Sequence, residues 1–98
     1  MYYVSTTFIK DKLPIKNAVK KLYTNSIFNI ELGSNHCFEK NYDYLSKYNV
    51  NYCVHNYFPV PKKNLVVNIA SQNKILRLKS IKHIKNSIKF SKKINASL

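Results

Sequence analysis

The chain has 98 residues and a mass of 11.5 kDa, the size of one small domain over residues 1–98, which excludes a two-domain enzyme. Apolar residues make up 45% and aromatic residues 13%, with one Gly and three Pro, so neither a disordered tail nor a collagen-like or linker sequence fits. Seventeen basic residues against four acidic give +13, a balance that favours anionic partners.

That charge is weaker evidence than its size suggests. Only Arg77 carries the planar guanidinium that phosphate and base recognition prefer, the other 16 basic residues being Lys. Lys, Asn and Ile together supply 39 of the 98 residues, the bias an AT-rich coding sequence imposes whatever the function. No apolar run approaches the roughly 20 residues of a membrane-spanning helix. Nor do residues 1–7 show a charged region followed by an apolar stretch. The expectation is a soluble, cytoplasmic protein with no membrane partner. Cys37 and Cys53 form no Cys-x-x-Cys pair and fit no structural zinc spacing with His36 and His55, so reduced thiols are expected.

Residues 2–9, dense in β-branched and aromatic side chains, read as a first strand. Over residues 14–24 the period changes: Ile15, Val19 and Leu22 recur at helical spacing, with Pro14 suited to a first turn. Residues 27–32, ending before Gly33, form a second strand; residues 38–48 read as a short helix, and residues 50–54 as a third strand. A long connection over residues 55–70, with Pro59 and Pro61, leads to a helix over about residues 72–94, for which Ser71 is the expected N-cap. At about 100° per residue, seven lysines of that helix (74, 79, 82, 85, 89, 92 and 93) fall in one arc of about 140°. Leu76, Ile81, Ile84, Ile88 and Ile94 fall in the opposite arc among Ser80, Ser87 and Ser91, which predicts a buried face that approaches a sheet closely.

The resulting β-α-β-α-β-α order predicts an α/β fold with parallel strands, either doubly wound or part of a (β/α)8 barrel. A single Gly excludes both the dinucleotide-binding fingerprint and the P-loop. In either fold the site lies at the carboxyl ends of the strands, which points to residues 5–8, Glu31 and His55. Glu31 is the only acid lodged in an apolar run, where an unpaired carboxylate is costly, so it is either a solvent-facing edge acid or a substrate or metal contact. His55 follows the third strand directly, as a loop histidine or as a metal ligand or general acid/base. His36 and His83 count as background.

The run Cys53-Val54-His55-Asn56-Tyr57-Phe58-Pro59-Val60-Pro61, continuing through Asn64-Leu65-Val66-Val67-Asn68-Ile69-Ala70-Ser71, resembles sugar phosphate isomerases/epimerases of the xylose-isomerase-like TIM-barrel superfamily. More distantly it is similar to the endonuclease IV type of abasic-site nuclease. The segments Val4-Ser5-Thr6-Thr7-Phe8 and Ile30-Glu31-Leu32-Gly33 match the first two strands of such barrels. The resemblance implies that residues 1–98 are the first three βα units of an incomplete (β/α)8 barrel, a fragment lacking the later strands. It implies a catalytic contact at Glu31, a catalytic and metal-ligating role for His55, and a divalent ion (Zn, Mn or Mg) held in the full-length protein and only weakly by this chain. The substrate would be a sugar or sugar phosphate, with proton transfer next to a carbonyl. Ninety-eight residues alone are expected to be inactive, poorly stable, and completed by the remainder of the barrel or by self-association. The alternative is a small basic protein that holds nucleic acid through the lysine face of its C-terminal helix.

Overall fold

The computed structural model describes residues 2–9 and 13–97. Three parallel strands, β1 (Val4–Ser5), β2 (Asn29–Leu32) and β3 (Asn51–Val54), lie side by side in chain order. Helix α1 (Ile15–Thr24) connects β1 to β2, and helix α2 (Lys74–Lys93) follows β3. The protein is therefore α/β with a three-stranded parallel sheet and two helices. The expected middle helix over residues 38–48 is absent: only Asp43–Lys47 winds, as a 3-10 turn that buries Leu45. Its aromatic residues pack instead as a ring cluster, with Tyr42 edge-on to Phe58 and to Phe90 at centroid separations of 5.0 and 5.5 Å.

The first strand is also shorter than its composition predicts. After Ser5 the chain turns into a 3-10 turn, Thr6–Phe8, because Ser5 Oγ accepts the Thr7 N–H at 3.3 Å and ends the extended run. Burial alternates along β2 and β3, so Ile30, Leu32, Tyr52 and Val54 enter the core while their neighbours do not. Helix α1 adds Ile15, Ala18, Val19 and Leu22, a stripe at helical spacing. Pro14 lies just outside that helix, its carbonyl accepting from Asn17 and Ala18 N–H at 3.0 and 3.1 Å.

Helix α2 begins later than expected, and Asn73 rather than Ser71 caps it: Asn73 Oδ1 accepts the Leu76 N–H at 3.1 Å. Its seven lysines are exposed, as the helical arc predicts. The opposite arc differs from expectation, because its buried residues are Ser80, His83, Ser87 and Ser91, whereas Leu76, Ile81, Ile84 and Ile94 are half-buried and Ile88 is exposed. The serines cluster within about 40° of that arc, and the aliphatic residues spread across about 140°. Ser80 and Ser87 meet the backbone of the connection between β3 and α2, and Ser91 Oγ donates to Ala96 O at 3.1 Å beyond the helix. Ser87 Oγ–H is shared between the Asn56 and Phe58 carbonyls, and Ser80 Oγ accepts the Asn68 N–H at 2.9 Å. Beyond α2, Asn95 adopts a φ of 54°, a left-handed conformation that Asn tolerates after a helix. The chain then returns to the sheet: Ser97 bridges Cys53 in parallel, its N–H donating to Tyr52 O at 3.0 Å and its carbonyl accepting from Val54 N–H at 3.1 Å.

Candidate functional site

Residues in register on a sheet share a face. Ser5, Glu31, Cys53 and Ser97 stand in one such row across the sheet, and Asn29 pairs with Asn51 two positions earlier along the strands. This face is polar, with Asn51 Nδ2 donating to Asn29 Oδ1 at 3.0 Å. The opposite face holds the apolar core. This side of the sheet is thus lined by amides, hydroxyls, a thiol and a carboxylate. Glu31, expected from its place in an apolar run, is half-buried there beside Cys53. Burial pushes the Cys53 thiol up, and the Glu31 carboxylate pushes it in the same direction, offset in part by the Val54 backbone N–H. Cys53 therefore serves as a neutral thiol and weak donor, not as a nucleophilic thiolate.

His55 stands just past β3, where its N–H donates to Leu32 O at 3.0 Å and extends the ladder by one step. It is exposed. Its Nδ1 accepts the Tyr57 N–H at 3.2 Å, so in the neutral ring the proton resides on Nε2 and that atom is a donor. From strand rise and spacing, the α-carbons of Glu31 and His55 are about 8 Å apart, one strand across and two residues along. A metal at Nε2 would require the opposite tautomer, which means giving up the Tyr57 contact. Among the described residues no three His, Cys, Asp or Glu side chains gather to hold an ion.

Sequence reading missed the side chains that hold this end of the sheet together. His36, treated as background, is buried. Its Nδ1 donates to Leu13 O at 2.6 Å, which leaves Nε2 of the neutral ring to accept the Thr6 hydroxyl at 2.8 Å. Thr6 Oγ1 in turn accepts the Gly33 N–H at 2.8 Å. This chain of bonds ties the turn after β1 to the turn after β2. The pairing of a hydroxyl one residue past β1 with a histidine shortly after Gly33 was its only signal in the sequence. His83, also treated as background, is buried too, with Nε2 donating to Tyr57 O at 2.6 Å. It fixes the loop that carries His55. No helix is long and apolar enough among the described residues to cross a membrane.

The fold and this face define an α/β protein with a polar sheet surface at the carboxyl end of its strands. Comparison with protein-family models, with curated proteins and with solved structures returned no match.

Proposed function

We propose that the chain forms the first three βα units of a (β/α)8 barrel of the sugar phosphate isomerase/epimerase type, with Glu31 and His55 as its contribution to the site. The observation that carries this reading is the strand order: β1, β2 and β3 follow one another in sequence, and Ser97 adds a fourth parallel position beside β3. Doubly wound sheets reverse direction at a switch point, whereas a barrel continues one way around. A groove of 980 Å³ lined by Tyr3, Val4, Phe8, Leu22 and Ile27 runs along β1 and α1; in a closed barrel the free side of β1 would receive the last strand.

In this reading the Glu31 carboxylate takes a proton from the carbon next to the sugar carbonyl. His55 Nε2–H donates to the carbonyl oxygen as negative charge builds there. The roughly 8 Å between their α-carbons leaves room for a two- or three-carbon unit between the side chains. Cys53 and Ser5 offer weak donors to neighbouring hydroxyls. Any divalent ion would depend on ligands from further strands, so no step here passes through one, and the isolated chain binds without turning over.

The test is titration of the isotope-labelled chain with a ketose phosphate, read by backbone amide shifts. Saturable shifts at Ser5, Glu31, Cys53 and His55, lost in Glu31→Gln, are expected. Shifts confined to the α2 lysines would sink the proposal. Retention of an oligonucleotide with a steep salt dependence that depends on Lys82, Lys85 and Lys89 would replace it with the nucleic-acid reading.

A further inference from the structure

A second surface stands apart from the polar sheet face. Val66, Ile69, Ile75 and Leu78 are 81, 57, 67 and 54% exposed, and they fall in the connection after β3 and in the first turns of α2. Lys62, Lys63, Lys74, Lys79 and Lys82, in the same two segments, are exposed as well. On α2, Ile75, Leu78, Lys79 and Lys82 share an arc of about 100°. Val66 and Ile75 line one groove of 690 Å³ together with Lys63, Lys79 and Lys82. No Asp or Glu occurs after Asp43, so this half of the chain supplies no carboxylate to neutralise those lysines. The apolar tips sit on a fixed frame: His83 holds Tyr57 O, Ser80 holds the Asn68 N–H, and Arg77 Nη1 donates to Ser71 O at 2.9 Å.

We propose that this surface docks on an anionic lipid bilayer, with the aliphatic side chains entering the headgroup–acyl boundary and the lysines lying among the phosphates. Charge complementarity is the argument, joined to the kind of apolar side chain. Lysine acts as a point charge that tolerates any anionic headgroup arrangement. The four apolar residues are all aliphatic, and they lack the aromatic faces on which single-stranded bases stack. The expectation of no membrane partner rested on the lack of a spanning segment, and a device that lies on the surface needs none.

The experiment is cosedimentation of the full chain with vesicles of phosphatidylcholine alone, and with about three parts in ten of phosphatidylserine added. Binding only to the anionic vesicles is expected, with release at about 0.5 M salt. Lys79→Ala and Lys82→Ala should each weaken it about fivefold. The charge-neutral pair Val66→Asn with Ile75→Asn should weaken it about tenfold or more. Circular dichroism of each variant checks that these exposed substitutions leave the fold intact. Equal binding to neutral vesicles, or unchanged binding by the folded variants, overturns the proposal. So does retention of a single-stranded oligonucleotide without any vesicle binding, which would assign the lysines to nucleic acid.

Discussion

A methyl group on Gly33 would collide with Thr7 Cγ2 and lie 3.0 Å from Ser5 Oγ. The lone glycine is thus a close-approach residue where the ends of β1 and β2 meet. Gly33→Ala should cost about 1–3 kcal/mol, read as a lower urea midpoint. Tyr42 presents the opposite case, because among the described residues its hydroxyl is buried without a hydrogen-bond partner. Tyr42→Phe should therefore stabilise the fold, by up to about 1 kcal/mol. Burial pushes that hydroxyl up to about 12, and the nearby Glu39 carboxylate pushes it in the same direction. Burial also raises Tyr44, bonded to Glu39, as well as Tyr52 and Cys53. Each is an acid that holds its proton more tightly in the folded chain. As pH rises past about 9–10 the unfolded chain releases protons first, so stability is full below that range and declines above it. Urea midpoints near pH 8 and 10.5 should show the fall, with a shallower slope for Tyr42→Phe.

At the level of elements, α2 shows what periodicity does and does not encode. The 100° spacing correctly separates the seven lysines from the buried arc, because any helix on a core must divide in this way. Which side chains of the arc become buried depends on the partner surface, and here that surface is loop backbone, which Ser80 and Ser87 meet with hydrogen bonds. Serines can make such bonds and isoleucines cannot. Ser87→Ala, which strands the Asn56 and Phe58 carbonyls, should cost about 1–3 kcal/mol despite being a small-to-small change. Thermal denaturation of the variant measures it. The segment over residues 38–48 was misread for a related reason: aromatic density signals burial without specifying a helix, and Tyr42 and Tyr44 meet their partners from a 3-10 turn.

For the molecule as a whole, the alternation of strand and helix patterns made the parallel sheet legible, since short connections between such segments permit few other arrangements. The positions of Glu31 and His55 followed from it, because parallel strands bring their carboxyl ends to one side. The tautomer of His55 and the His36–Thr6–Gly33 chain did not follow, since both depend on contacts between residues far apart in sequence. A net charge of +13 on 98 residues also sets a global property. Self-repulsion among the lysines opposes compaction and is screened by salt, so the melting temperature should rise between about 20 mM and 0.3 M NaCl. A flat response would mean that the lysines are already too well solvated to repel.

The sheet is unevenly joined: two register pairs hold β1 to β2, against four between β2 and β3. Opening should therefore begin at the N-terminal strand and move inward, so that amide protons of β2 exchange slowest and those bonding β1 fastest. The same order sets where a protease would gain its first foothold. Peeling β1 away would release the turn that carries Thr6 and free His36 Nε2 from its hydroxyl partner. The chain would then be open to cleavage near its first residues while the second and third strands were still paired.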